Sequence, residues 1–215
     1  MAAGDPSLRL YAILDVESCT RRGRDLVAVA TAWREAGVSL LQLRDKQGSD
    51  DEVLRSADRI ANAFRTPGSI LLLNDRAHLV QGAGWDGVHI GQGDGSVTQA
   101  RELAGDDAII GLSTHTPEQA EAAHREDLDY IACGPVFATV TKADAEPMIG
   151  LCGLQAIRAI TTKPLVAIGG IALQAAEVRR SGADSIALIS ALLPPADAGG
   201  DELQRRAADF LRALR

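Results

Sequence analysis

Short apolar runs rich in strand-forming residues alternate with segments of helical periodicity along the whole sequence. Eight such runs can be counted, and each is followed by a helical segment. This alternation predicts a parallel sheet whose strands are joined by helices. Eight units favour closure into a barrel, because an open doubly wound sheet usually has about five to seven strands. We therefore predict an α/β fold, a single (β/α)8 TIM barrel domain that spans residues 1–215.

The predicted strands lie at Leu8–Leu14, Ser39–Leu43, Ser69–Leu73, Gly87–Ile90, Ala108–Leu112, Tyr130–Cys133, Leu165–Ile168 and Asp184–Ile189. The predicted helices lie at Asp25–Ala36, Asp50–Phe64, a short one near Ala77, Thr98–Ala104, Pro117–His124, Leu154–Ile160, Leu173–Ser181 and Asp201–Leu214. The longest interruption is the loop from Gly134 to Gly153, and loops of that length are often functional.

The overall charge points to a small-molecule ligand. A net charge of −7 argues against a general nucleic-acid surface. Cys19, Cys133 and Cys152 form no close pair, so we expect them to be packing residues in a reducing compartment. The amino terminus shows no leader pattern, and no apolar run has the length of a membrane span. We therefore expect a cytoplasmic protein.

Polar residues follow the second predicted strand, at the edge where a barrel of this kind places its active site. Gln42, Arg44 and Lys46 alternate along an extended chain, which puts them on the same side. They would form a basic strip that donates hydrogen bonds to one ligand. The alternative is a solvated strand end with ordinary surface charges.

Two aspartates follow the third and fourth predicted strands. Asp75 lies in Asn74-Asp75-Arg76, and Asp94 follows Ile90 by four residues. Adjacent barrel strands bring their ends together, and Mg²⁺ is usually bound by one or two carboxylates, with waters and phosphate oxygens completing its octahedron. These residues therefore predict a magnesium site. In the alternative interpretation, Asp75 caps the next helix and Asp94 stabilises a turn.

Residues suited to anions follow the last three predicted strands. The loop after the sixth carries Thr139, Thr141 and Lys142, which can fold over a bound substrate. Gly170 follows the seventh strand and Ser190 follows the eighth. Small residues at these positions let backbone amides approach an anion, and this is a common phosphate site in barrels.

Two further features of the sequence could indicate a binding site. Gly82–Gly87 fits a dinucleotide-binding fingerprint, but that motif needs a strand before it and a helix after it, and here the order is reversed. The four histidines show no metal-ligand spacing. We expect His78 and His124 at the surface and His89 within the barrel. His115 follows the fifth strand and is a candidate catalytic residue.

Together these stretches resemble the thiamine-phosphate synthase family, in the family's order from Tyr11 to Ser190. The matching motifs are Gln-x-Arg-x-Lys at Gln42–Lys46, Asn74-Asp75-Arg76, Gly-Gln-x-Asp ending at Asp94, Ser-x-His-Thr at Ser113–Thr116, Gly-Pro-x-Phe-x-Thr-x-Thr-Lys at Gly134–Lys142, Ile-Gly-Gly-Ile at Ile168–Ile171, and Ile189-Ser190. A generic barrel would not be expected to supply the whole set.

The resemblance implies a transferase that joins 4-amino-5-hydroxymethyl-2-methylpyrimidine diphosphate to a thiazole phosphate, with Mg²⁺ as cofactor and pyrophosphate as leaving group. The family's reaction is dissociative. By resemblance, Asp75 and Asp94 would bind Mg²⁺, and Gln42 would contact the pyrimidine. The diphosphate would be held by Arg44, Lys46, Asn74, Ser113 and Lys142. The candidate catalytic residues among these are Arg44, Lys46, Ser113 and Lys142. The thiazole phosphate would be contacted by Thr139, Thr141, Gly170, Ile189 and Ser190.

Three positions depart from the family pattern: Ala138 replaces a common Pro, Gly93 a common acidic residue and Cys152 a frequent Glu. Two alternatives stay open. One is the related thiazole tautomerase, which shares the barrel and would use His115 for proton transfer. The other is a non-catalytic barrel that binds a phosphate ligand. The partners are expected to be small molecules rather than nucleic acid or membrane, and a homo-oligomer is compatible with the sequence.

Overall fold

Eight parallel strands pair in sequence order, and the last also pairs with the first, so the sheet closes into a barrel. The structure, a computed structural model, describes residues 8–139, 147–195 and 197–215. The strands are β1 (Leu10–Asp15), β2 (Leu40–Arg44), β3 (Ile70–Asn74), β4 (Gly87–Ile90), β5 (Ile109–Thr114), β6 (Tyr130–Cys133), β7 (Leu165–Ile168) and β8 (Ser185–Leu188). The predicted (β/α)8 TIM barrel is confirmed.

The helices surround the strands. They are α1 (Val16–Arg21), α2 (Leu26–Ala36), α3 (Asp50–Phe64), α4 (Val80–Ala83), α5 (Val97–Ala104), α6 (Pro117–Arg125), α7 (Gly150–Ile160), α8 (Ala175–Arg180) and α9 (Gly200–Ala213). Short 3-10 turns occupy Ala77–Leu79 and Ser190–Leu192. In the described ranges, no helix combines the length and apolar character needed to cross a membrane.

Many of the helices begin where the sequence supplies a capping side chain. In five helices an oxygen of this side chain accepts a backbone N–H of the first turn, which satisfies a donor that the helix itself leaves unpaired. These caps are Asp15, Asp25, Ser49, Ser96 and Thr116. At Ser49 the cap is reciprocal, because Glu52 also accepts the Ser49 backbone N–H. Polar residues just before these helices thus mark where each helix starts.

The apolar core has two layers separated by the strands. In β1, Tyr11 and Ile13 belong to the inner layer, whereas Leu10, Ala12 and Leu14 belong to the outer one. This division follows from the alternation of side chains along a strand. The inner layer fills the barrel, and the outer layer packs the strands against the helices. A filled interior leaves the rim of the barrel as the place for a ligand.

Several boundaries differ from the predictions. Helix α7 begins at Gly150, so the loop after β6 ends at Ile149 rather than at Gly153. Glycines are poor helix formers, so the first turn, which contains Gly150 and Gly153, was not predicted to be helical. Helix α8 begins at Ala175, two residues after the predicted Leu173. Helix α1 was not predicted, because six residues are too few to display a helical repeat.

The cysteines are free thiols. Cys19 and Cys133 are buried as expected, and burial raises the pKa of each thiol to about 12. The prediction that all three are packing residues is wrong for Cys152, which is exposed on α7. It lies in the first turn of that helix, whose start was not predicted, so its outward position could not be read from the apolar pattern.

Candidate active site

A cavity of about 540 Å³ opens at the carboxyl ends of β5 to β8. Five residues that the sequence assigned to substrate line it: Ser113, Thr139, Gly170, Ile189 and Ser190. They come from β5 and from the segments that follow β6, β7 and β8, and closure of the barrel brings them together. Thr141 and Lys142, assigned to the same substrates, lie outside the described residues.

Two glycines form the wall after β7. Gly169 and Gly170 have φ angles of 98° and 64°, in the left-handed region that favours glycine. A Cβ at Gly170 would also overlap the backbone of Phe137 and Ala138. The loops after β6 and β7 therefore approach each other more closely than side chains would allow. This leaves backbone amide groups on the cavity wall, where an anion can reach them.

His115 contributes a ring nitrogen to the same cavity. Its Nδ1 lies 2.7 Å from the carbonyl oxygen of Gly134. A carbonyl oxygen only accepts, so in the neutral ring Nδ1 carries the proton and Nε2 keeps its lone pair. The ring is thus held in a defined orientation with one nitrogen able to accept a proton.

A second group of charged residues lies at the ends of β2, β3 and β4. Lys46 Nζ forms an ion pair with Asp75 Oδ2. Burial raises the pKa of the Asp75 carboxyl, as does the nearby Asp94 carboxyl, while Lys46 opposes both effects. Asp75 has a φ of 62°, a left-handed conformation uncommon for a residue with a side chain. The two aspartates predicted to bind metal are therefore neighbours, held in a specific backbone geometry.

These carboxylates fit a magnesium ion. Repulsion between two neighbouring carboxylates favours a cation beside them, and Mg²⁺ takes one or two such ligands with water and phosphate oxygens. Among the described residues no group of three or more His, Cys, Asp and Glu is suited to hold a metal, so a closed protein cage is not formed there. Asp94 Oδ2 also accepts the Gly91 N–H at 2.9 Å, so the turn role considered for it is present as well.

The residues of the predicted basic strip have separate neighbours. Gln42 is buried inside the barrel and donates from Nε2 to Tyr11 Oη at 2.6 Å. Arg44 forms an ion pair with Asp15 at 2.5 Å, and only Lys46 faces Asp75. Asn74 ends β3 beside the two aspartates. The strip is thus divided between the barrel interior, β1 and the carboxylate pair.

The sequence matches known proteins over most of its length. The family model described as thiamine monophosphate synthase matches residues 10–192. The chain belongs to this family. It is 42% identical to the thiamine-phosphate synthase of Koribacter versatilis, with 100% of this chain and 99% of that protein covered. It is 40% identical to the thiamine-phosphate synthase of Chloroflexus aurantiacus, with 93% and 91% covered.

A solved structure agrees with the family. The thiamine phosphate pyrophosphorylase from Pyrococcus furiosus superposes with a TM-score of 0.79 at 31% identity, with 95% of this chain and 98% of that chain covered. Together with the family match, this similarity identifies the chain as an enzyme, a transferase of thiamine biosynthesis.

The structure of this family member adds Arg22 to the site, which sequence reasoning missed. Arg22 is the residue after α1, is half-buried, and lines the same cavity as Gly169 and Gly170. Since β1 pairs with β8, the segment after β1 lies next to that of Ser190. Arg21, by contrast, pairs with Glu17 on the exposed face of α1. A prediction of α1 would have been needed to separate these two arginines.

Asp15 is the second residue that was missed. It is 2% exposed, accepts the Ser18 N–H at 3.0 Å as the cap of α1, and pairs with Arg44. One side chain therefore starts the helix that leads to Arg22 and also holds Arg44 in place. The Asp15-x-x-Ser18 spacing is a signal for a cap, but the sequence gives no signal for its pairing with Arg44.

We predict that Asp15→Asn destabilises the protein by about 2–4 kcal/mol, because it keeps a good cap but leaves Arg44, whose side chain is only 13% exposed, without its counter-charge. The matched control is Asp25→Asn at the exposed cap of α2, which should change stability by less than about 0.5 kcal/mol. Urea unfolding measures both. Equal effects in the two variants would contradict a structural role for the Asp15–Arg44 pair.

Proposed function

We propose that this chain is a thiamine-phosphate synthase that joins 4-amino-5-hydroxymethyl-2-methylpyrimidine diphosphate to a thiazole phosphate and releases pyrophosphate. The observation that carries the proposal is the position of the Asp75–Asp94 carboxylate pair, with Lys46, at the same rim as the cavity. A chain that bound a single phosphate ligand would need only the cavity. Two anion sites of different chemistry suit two phosphorylated substrates.

The diphosphate would occupy the half of the site near β2, β3 and β4. Asp75 and Asp94 would hold Mg²⁺, which when bound neutralises negative charge on the diphosphate oxygens. Lys46 lies beside the aspartates and would turn from Asp75 to the diphosphate. Asn74, Arg44 and the Ser113 hydroxyl would contribute further donors, and Lys142 of the loop after β6 would join them.

The chemistry requires stabilisation of a leaving anion. The bond between the pyrimidine's methylene carbon and the diphosphate oxygen breaks, and the electron pair leaves with pyrophosphate. The aminopyrimidine ring, contacted by Gln42, donates electrons into the carbon, and the thiazole nitrogen then supplies the pair for the new bond. Charged donors such as Lys46 and Arg44 stabilise the developing negative charge in a partly buried site. No covalent nucleophile is required.

The thiazole phosphate would occupy the cavity. Gly170, Ser190 and Arg22 all line this cavity, so the backbone amides at Gly170 and Ser190 would bind the phosphate and Arg22 would supply a positive charge. Ile189 and Thr139 would contact the thiazole, together with Thr141. This arrangement would direct the thiazole nitrogen towards β5, where Ser113 borders both halves.

The test is an assay of the purified protein with both substrates, with Mg²⁺ and then with a chelator. Thiamine phosphate and pyrophosphate should form in equal amounts, and formation should need both substrates and the metal. Binding of both substrates with no pyrophosphate released under any condition would contradict the proposal and favour a non-catalytic ligand-binding barrel.

The metal assignment predicts that Asp75→Asn and Asp94→Asn each lower kcat/KM by about 100-fold or more, because each removes a charged ligand. Asn is chosen because it tolerates the left-handed conformation of residue 75 and can still accept the Gly91 N–H at residue 94. Circular dichroism should be unchanged. If both variants kept full Mg²⁺-dependent activity, these aspartates would not be the metal ligands.

The cavity assignment predicts that Arg22→Ala raises KM for the thiazole phosphate about tenfold, the effect of losing one charge-assisted hydrogen bond at a half-exposed site. The KM for the pyrimidine diphosphate should be unchanged. The unphosphorylated thiazole alcohol should bind the variant and the parent equally. Arg21→Ala, one residue away and on the exposed face, is the control. An equal KM in parent and Arg22→Ala would remove Arg22 from the phosphate site.

A thiazole tautomerase is the second candidate, and the hydrogen bond of His115 favours it. With Nδ1 bonded to Gly134, Nε2 of the neutral ring keeps a lone pair that can accept a proton, and His115 lines the cavity. A tautomerase has no use for the Asp75–Asp94 pair, so we place it second.

This ranking predicts slow tautomer conversion by the parent protein and no loss of synthase turnover beyond about tenfold in His115→Ala, because synthesis needs no general base. Tautomer conversion is followed in the absence of Mg²⁺. Rapid conversion that is lost in His115→Ala would reverse the ranking.

A further inference from the structure

A chain of hydrogen bonds crosses the barrel interior from Gln42 to Ser113. Gln42 Nε2 lies 2.6 Å from Tyr11 Oη, which lies 3.0 Å from Tyr130 Oη. Tyr130 Oη lies 2.9 Å from His89 Nδ1, and His89 Nε2 lies 2.8 Å from Ser113 Oγ. The expected position of His89 within the barrel is confirmed. These hydrogen bonds join Gln42 and Ser113, which the proposed function places on different parts of one substrate.

The protons that each group carries determine which group donates in each bond of this hydrogen-bond chain. Gln42 Nε2 only donates, so Tyr11 Oη accepts there. Among the described residues, the bonds shown for Tyr11 Oη go to Gln42 and Tyr130, so its own proton is satisfied only by donation to Tyr130. Tyr130 then donates to His89 Nδ1. His89 must donate from Nε2 to Ser113, whose oxygen accepts and whose proton points elsewhere.

The reverse direction would leave a buried donor without a partner. Tyr130 would donate to Tyr11, and the Tyr11 proton would then have no acceptor. Water could not supply one, because Tyr11 is only 1% exposed. An unsatisfied buried hydroxyl is costly. Both phenols stay protonated, because burial raises the pKa of Tyr11 and of Tyr130 above the ordinary value. Each phenol therefore brings one proton to the count.

The rings have little freedom to rearrange. Tyr130 is fully buried, and a Cβ at Gly111 would overlap its ring, so the glycine provides the space in which the ring lies. The Tyr130 and His89 rings are stacked with centroids 5.5 Å apart, and the Tyr11 and Tyr130 rings meet edge to face. This packing fixes which nitrogen of His89 meets the phenol.

We propose that Tyr130 is a positioning residue that fixes His89 as the Nε2–H tautomer and thereby commits the Ser113 hydroxyl proton to the bound anion. Tyr130 is fully buried and acts only through His89 and Ser113. The functional consequence rests on the proposed function, since the anion is the diphosphate of that reaction. The tautomer itself depends only on the protein.

The test measures the tautomer directly. The ¹⁵N-labelled protein without substrates is studied by long-range ¹H–¹⁵N correlation, and the pH is raised to about 8 so that the neutral tautomers are observed. The chain has four histidines, so the spectrum is simple, and the signals missing in His89→Gln assign His89. His115 is an internal reference, because its bond to the Gly134 carbonyl requires the opposite, Nδ1–H tautomer.

We expect His89 as the Nε2–H tautomer in the parent protein. Tyr130→Phe should move its two nitrogen shifts towards averaged values, because the donor to Nδ1 is gone. Tyr11→Phe should keep the Nε2–H tautomer, because Tyr130 can still donate. Each variant removes one buried hydroxyl. If Tyr130 had only a structural role, the two variants would therefore change the His89 spectrum alike. An Nδ1–H tautomer in the parent, or the same spectrum in both variants, would overturn the proposal.

Kinetics supply the functional readout. Tyr130→Phe should lower kcat about tenfold, as expected for one weakened hydrogen bond in the transition state, and should leave KM for the thiazole phosphate unchanged. In a Ser113→Ala background the same change should have little further effect, since the hydroxyl it acts through is gone. Full additivity of the two substitutions would overturn the link to Ser113. If the protein released no pyrophosphate at all, the proposed function would be wrong. The tautomer of His89 would still be decided separately, because it is measured without substrates.

Discussion

Closure of the parallel barrel determines where every functional group of this protein lies. Each strand pairs with two neighbours, so no strand edge stays open, and the carboxyl ends of all eight strands meet at one rim. Residues far apart in sequence therefore become neighbours by strand order. The carboxylates come from the ends of β3 and β4, and the cavity from β5 to β8. Arg22 follows β1, which closes the ring against β8.

The rim separates two kinds of electrostatic environment. On one side the Asp75–Asp94 pair favours a cation, and Lys46 already offsets part of its charge. On the other side Arg22 and the amides beside Gly170 favour an anion. The net charge of −7 is thus no obstacle to phosphorylated ligands, because local charges dominate at short range. In the proposed function, this polarity would orient the two phosphorylated substrates relative to each other.

The sequence predicted the fold and much of the rim because both depend on local patterns. Apolar strands alternate with amphipathic helices, and polar residues such as Asp75 and Ser113 directly follow the predicted strands. The phenol pair could not be predicted in this way. β1 and β6 are not adjacent strands, so the contact of Tyr11 with Tyr130 arises only when the barrel closes. In the sequence, both tyrosines resemble ordinary core aromatics.

Other residues were missed because the local signal is weak. Arg22 depends on α1, whose six residues are too few for a periodic pattern, and whose start is marked only by the Asp15 cap. The separation of Gln42, Arg44 and Lys46 has a different origin. Alternation places all three on one side of an extended chain, but Gln42 lies at the depth of the inner core layer, whereas Lys46 lies beyond the end of β2. The pattern along a strand gives the face and not the depth.

The division of the rim into a metal-diphosphate half and a phosphate cavity is tested most directly by anomalous diffraction from crystals soaked with Mn²⁺, pyrophosphate and thiamine phosphate. We expect a manganese peak that contacts the carboxylates of Asp75 and Asp94 and an oxygen of pyrophosphate. We also expect the phosphate of the product between Arg22 and the loop at Gly170. A metal bound away from both aspartates, or the product phosphate at the ends of β3 and β4, would contradict this division of the rim.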